Sequence, residues 1–166
     1  MLPGKKATFQ RSLDRARLLP GVPDDDLKGF DIPERYKVTS SQARFLILNT
    51  AGEESGDLIL GFASPVQLEV MRSCPSWYCD GTDSPVSRLE MFCQLFIILA
   101  HTSADISLPV GFFLTANKSE TTYRRIFRFL RDECGVAGPE RMIFNLEKVV
   151  HNNCTDFTLI MFYSRP

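Results

Sequence analysis

RLEMFCQLFIILAHTSADISLPVGFFLTA, residues 88–116, decides how this chain is read. It holds two long apolar runs parted by the polar turn SADIS. The run from Phe92 to Ala100 is nearly unbroken in apolar residues, the pattern of a central strand covered on both faces. Just upstream lies SWYCD, residues 76–80, a short aromatic strand. Three consecutive strands joined by short turns predict an antiparallel sheet.

Downstream, NKSETTYRRIFRFLRDECG (117–135) places Tyr123, Ile126, Phe127 and Leu130 at i, i+3, i+4 and i+7. That is one face of an amphipathic helix, with Ser119 as its N-cap and Gly135 as its stop. Arg124, Arg125, Arg128 and Arg131 fall on the other face. Two readings of these arginines stay open, a solvated surface and a nucleic-acid contact. RMIFNLEKVVHNN (141–153) then predicts a short buried strand running into a second helix. Strands followed by helix, strand and helix belong to an α/β fold with a mixed sheet.

Upstream, RYKVTSS (35–41), ARFLILNT (43–50) and LILGFA (58–63) read as strands, the last two parted by the Gly-rich loop AGEESGD, and together predict a small antiparallel meander. A helix enters at Ser64: Pro65 suits its first position and Gln67 completes a capping box, with Val66, Leu68 and Met71 on its apolar side. Before the meander, PGVPDDDLKGFDIP (20–33) is a linker by its prolines, glycines and acidic triplet. The first eighteen residues carry Lys5, Lys6, Arg11, Arg15 and Arg17 against Asp14, with Phe9, Leu13 and Ala16 at helical spacing. This basic amphipathic stretch is either a solvated arm or a contact for nucleic acid or a partner. The organisation expected is an arm and linker over 1–33 and one domain over 34–166.

At 166 residues and 44% hydrophobic content the chain has material for one compact core. A formal net charge of −1 provides no global attraction to nucleic acid, so any such binding requires a local basic patch. No stretch approaches the roughly eighteen apolar residues of a membrane span, and the N-terminus lacks the apolar middle of a signal peptide, so an intracellular chain with no membrane partner is expected. Five cysteines without a C-x-x-C pair fit thiols in a reducing compartment. Cys74 and Cys79 with His101 are the nearest approach to a zinc set, yet the four-ligand spacing is missing.

These motifs carry a family resemblance. DIPERYKVTSSQARFLILNT (31–50), DLILGFASPVQLEVMRSCPSWYCDGT (57–82), FCQLFIILAH (92–101) and LPVGFFLTANKSETTYRRIFRFL (108–130) resemble successive segments of the Mutator-like (MULE) transposase domain, in its animal, zinc-finger-associated branch. CDGT is similar to the end of the family's W-x-x-D-G-T motif, and QLFIILAH to its Q-L-Y-x-I-H strand. The likeness spans about residues 30 to 153. It implies an RNase H-like core in which three acidic residues hold two Mg²⁺ ions for cutting and joining DNA. Hard Mg²⁺ takes oxygen ligands; one ion activates the attacking hydroxyl and the other steadies the leaving oxygen. By the resemblance, Asp80 is the first acid and the ancestral metal ligand.

The chain departs from the family at the second acid. IFNLEKV (143–149) places Asn145 there, and an amide oxygen brings no charge. Glu147 matches the neighbouring non-ligand acid, and the phenylalanine usual after D-G-T is replaced by Asp83. The third acid lies downstream in the family, and CTDFTLIMFYSRP (154–166) does not resemble that region. The expectation is a partial RNase H-like mixed sheet and a truncated remnant of a DDE-type transposase, without activity or retained Mg²⁺. Two alternatives are a DNA- or protein-binding module on the same fold, and a piece of a longer active transposase. DNA, a longer transposase or another protein are the partners implied, with no small-molecule substrate, and the location implied is nuclear, or else cytoplasmic. The sheet's open edge is expected to recruit FTLIMFY (157–163) or to promote aggregation. His101 reads as a strand-end histidine, and Trp77, Tyr78, Phe92, Phe96, Phe112 and Phe113 as core rather than as a base-stacking platform.

Overall fold

A computed structural model describes residues 32–53, 57–83, 91–102, 106–145 and 160–163. In chain order its elements are α1 (Glu34–Lys37), β1 (Leu46–Asn49), β2 (Ile59–Phe62), α2 (Pro65–Ser73), β3 (Ser76–Thr82), β4 (Gln94–His101), β5 (Ser107–Thr115), α3 (Glu120–Asp132), β6 (Arg141–Asn145) and β7 (Ile160–Tyr163). The strands form one sheet in the order β1-β2-β5-β4-β3-β6-β7. Neighbours from β1 across to β3 run antiparallel, while β6 is parallel to β3 and β7 parallel to β6. The chain is therefore a mixed α/β structure with a mixed sheet.

Both longer helices start where local chemistry places them. Ser64 Oγ accepts from the Gln67 backbone N–H and Gln67 Oε1 accepts from the Ser64 N–H, at 3.2 and 2.8 Å. This closes the expected capping box, with Pro65 at the first helical position. Ser119 Oγ likewise accepts from the Thr122 N–H and opens α3. Gly135 ends that helix at φ +64°, where Val136 N–H donates back to the Leu130 carbonyl at 2.9 Å. Arg72, on α2, donates to the Cys134 carbonyl at 2.8 Å and so caps α3 from its neighbour. Burial pushes the Cys134 thiol up from its ordinary range, against the pull of Arg72 and Arg44.

One face of the sheet carries the main core. Met71 of α2 and Tyr123, Ile126, Phe127 and Leu130 of α3 pack with Trp77, Cys79, Phe96, Ile98, Phe113, Met142 and Phe144. The Phe96 ring meets Tyr123 edge-on at 5.3 Å and Phe127 at 6.1 Å. Each large side chain of α3 buried here contributes about 1.5–3 kcal/mol, which is why the helix takes its predicted face. Across this core Tyr123 Oη donates to Gln94 Oε1 at 2.6 Å, both residues buried. On the opposite face Ile32, Leu58, Leu60 and Phe92 form a second cluster, with Phe62, Leu95 and Leu114 against it.

Several expectations need correction. Residues 34–37 form a helical turn rather than a strand: it follows Pro33, and Lys37 pairs with Glu34 at 2.8 Å. Only a single bridge, Val38 to Arg44, joins the two sides of the turn at Gln42, whose φ is +64°. The remaining meander, β1 and β2, is no separate unit but extends the main sheet through β5. β4 is the central strand, yet its burial alternates between buried and half-buried, so the two faces are not equally covered. An all-apolar run has no polar residue to reveal which face is less covered. Ile32 is 5% exposed, so the folded part already includes the end of the expected linker. Residues 160–163, within FTLIMFY, take the edge beside β6. The helix expected after β6 lies outside the described residues.

Candidate functional site

The carboxyl ends of the parallel strands β3, β5 and β6 share one end of the sheet, the position at which open α/β sheets bind ligands. The residue that the resemblance assigns to the first acid is there. Asp80 on β3 has Ile97 of β4 as its Cα partner on one side and Asn145 of β6 on the other. The positions that the resemblance assigns to the first and second acids, 65 residues apart, are thus adjacent in register. Asp80 is half-buried and alternates with the buried Trp77 and Cys79, which places it on the face away from α2 and α3.

The two positions bring a carboxylate and an amide. Asn145 brings no charge to the position beside Asp80. The next acid along the chain, Asp83, is engaged by Lys118 Nζ at 2.7 Å. Among the described residues no group of three or more His, Cys, Asp or Glu side chains is arranged to hold a metal ion. Two Mg²⁺ ions need several carboxylates around them.

A second acid at this end has a structural task. Asp57, just before β2, accepts from Asn117 Nδ2 at 2.6 Å and from Thr122 Oγ1 at 2.8 Å, latching β2 to the N-terminal turn of α3. Sequence reading singled out neither Asp57 nor Lys118. Their partners lie 60, 65 and 35 residues away, and pairings at that separation leave no local periodicity to read.

Arg124, Arg125, Arg128 and Arg131 all lie on α3 away from the main core, as their spacing predicts. Carboxylates are interleaved with them: Arg124 bonds Glu120, Arg125 bonds Glu53 from the loop after β1, and Arg131 bonds Asp132 at 2.7 Å. The Arg131 hydrogen bond holds the Asp132 carboxyl below its usual range. Arg128 is the most exposed of the four. The row is a mixed-charge surface rather than a bare cationic stripe.

The remaining candidates separate. His101 Nδ1 meets Ser107 Oγ at 3.2 Å and its ring stands edge-on to Tyr78 at 5.3 Å. Cys79 is buried on the helix-covered face while His101, paired with Ser76, is on the other, so Cys74, Cys79 and His101 do not converge. Trp77, Phe92, Phe96 and Phe113 are buried; Tyr78 and Phe112 are half-buried on the face that carries Asp80. Lys5, Lys6, Arg11, Arg15, Arg17 and Glu147 lie outside the described residues. No described helix is long and apolar enough to cross a membrane. No protein family, no curated protein and no solved structure matches this chain in comparison.

Proposed function

We propose that this chain is a transposase-derived domain of the Mutator-like type, with an RNase H-like core that no longer performs two-metal cleavage of DNA. The observation that carries this reading is the register of Asp80 with Asn145 on neighbouring parallel strands. In an acid-triad site these positions would present two carboxylates to shared metal ions; here one is an amide. The run of three antiparallel strands β3, β4 and β5, then α3, then β6 beside β3, agrees with what the sequence resemblance implies for that core. Mg²⁺ is not a retained cofactor in this reading, and a nuclear location follows from the family.

Incubating the purified chain with labelled duplex DNA and Mg²⁺ or Mn²⁺ tests the proposal. No nicking or strand transfer is expected. Metal-dependent cleavage that disappears in Asp80→Ala would overturn it.

A second reading, a DNA-binding module, rests on the exposed Arg128 and its neighbours Arg124, Arg125 and Arg131. The carboxylates of Glu120, Glu53 and Asp132 reduce the field available to phosphates, so binding through this face is weak and falls only modestly as salt rises.

A further inference from the structure

β1 is the first strand in the sheet order, so among the described residues one of its sides has no strand beside it. Its sequence is of the kind that attracts one: residues 45–52 read FLILNTAG, with no charge between Arg44 and Glu53. An edge of this composition pairs with another chain unless its outward backbone groups are occupied.

Which groups point outward follows from the ladder. Leu46 faces Phe62 of β2, and the bond flanking that pair runs from the Ala63 N–H to the Phe45 carbonyl at 2.9 Å. In an antiparallel ladder this marks Leu46 and Phe62 as residues that face each other without exchanging bonds, so the Leu46 N–H and carbonyl are directed away from β2. Asn49, opposite Leu60, is placed the same way, because the Thr50 N–H beside it donates to the Ile59 carbonyl. Between the two the register shifts, and Ile47 is the extra residue of the bulge.

The Arg44 side chain covers these groups. Its Nε donates to the Leu46 carbonyl at 2.9 Å and its Nη2 to the Ile47 carbonyl at 3.0 Å. A guanidinium holds its donors in a fixed fork, so one side chain fills two neighbouring acceptors at once. We infer that Arg44 is a guard on this edge: it occupies the carbonyls to which β1 of a second copy would otherwise pair. A strand adding here has first to displace it. The open half of β5 carries a similar block. β2 ends at Phe62, opposite Phe112, and beyond that point Pro109 has no N–H to offer while its carbonyl accepts from Gln67 Nε2 at 2.9 Å. The guard role uses neither acid position nor the arginines of α3, so it stands apart from the transposase reading.

The test compares the unmodified full chain with Arg44→Ala and Arg44→Lys, by sedimentation and amide hydrogen exchange at several protein concentrations. Exchange at 123–130 reports whether the core is intact in each. In Arg44→Ala, exchange of the outward Leu46 and Asn49 amides is expected to slow by about tenfold or more as concentration rises, with a dimer or larger species in sedimentation. The unmodified chain should show no concentration dependence at these two amides. Arg44→Lys keeps the charge but lacks the fork, so it should fall between the other two. Leu46 and Asn49 amides that ignore concentration in Arg44→Ala would overturn the inference, as would an unmodified chain that gains protection there as concentration rises. An Arg44→Lys variant indistinguishable from the unmodified chain would overturn it as well, since charge without the fork would then suffice.

Discussion

Gln94 and Tyr123 are a buried pair whose value lies in its completeness. The tyrosine hydroxyl donates to the amide oxygen at 2.6 Å, with both residues inside the core. Tyr123→Phe removes the donor and leaves a buried acceptor, so we expect a loss of about 1–3 kcal/mol in urea unfolding. Gln94→Leu combined with Tyr123→Phe should recover part of that loss, because an apolar pair leaves nothing unsatisfied. Gly61 makes a contrasting demand. A Cβ there would stand 2.8 Å from the Phe113 ring and 3.0 Å from the Leu48 Cβ, so the strands need glycine for close approach. Since Phe113 is fully buried and cannot swing aside, Gly61→Ala is expected to cost about 1–3 kcal/mol, read as a lowered urea midpoint.

At the scale of an element, α2 is fixed at both ends by side chains that reach the sheet or the next helix. Gln67 closes the capping box with its oxygen and donates its Nε2 to the Pro109 carbonyl at 2.9 Å. Pro109 sits where β5 shifts register against β4, between the pairs Ile98–Gly111 and Leu99–Pro109, a place that tolerates a residue without an N–H. Ser64→Ala should cost about 1 kcal/mol through loss of the cap. Gln67→Glu keeps the cap oxygen but exchanges the donor to the Pro109 carbonyl for a second oxygen, which at this exposed position can turn away to water, so its thermal midpoint should fall by less than that of Ser64→Ala. An equal or larger fall would mean that the bond to the bulge, not the cap, holds α2 in place.

For the whole molecule, the issue is how a chain of net charge −1 could meet DNA. The arginines of α3 are the described candidates, with Glu120, Glu53 and Asp132 set among them. In fluorescence anisotropy with a labelled duplex, binding through this face would weaken as salt rises and be indifferent to Mg²⁺. Arg124→Glu with Arg128→Glu is expected to lower the slope of log affinity against log salt by up to about 2, close to one for each phosphate no longer neutralised. A slope that the double variant leaves unchanged would remove α3 from the interface.

Much of this architecture was legible as local pattern. The 3.6-residue period of Tyr123, Ile126, Phe127 and Leu130, the capping box at Ser64, and the turn-bounded runs that became β3, β4 and β5 are written in neighbouring residues, so the sequence by itself determined those elements. It also marked Asp80 and Asn145 as positions of interest. Tertiary structure alone decided that the two stand in register, that β1 and β2 continue the main sheet, that Asp57 ties its carboxyl end to α3, and that Lys118 ties it to the segment just before that helix. The same holds for the unequal faces of β4, since a run of apolar residues states that a strand is buried without stating what lies on either side. The physical reason is separation along the chain: a hydrogen bond or strand pairing between residues 35 to 65 apart is selected by the packing of the whole sheet, and no short window of sequence contains both partners.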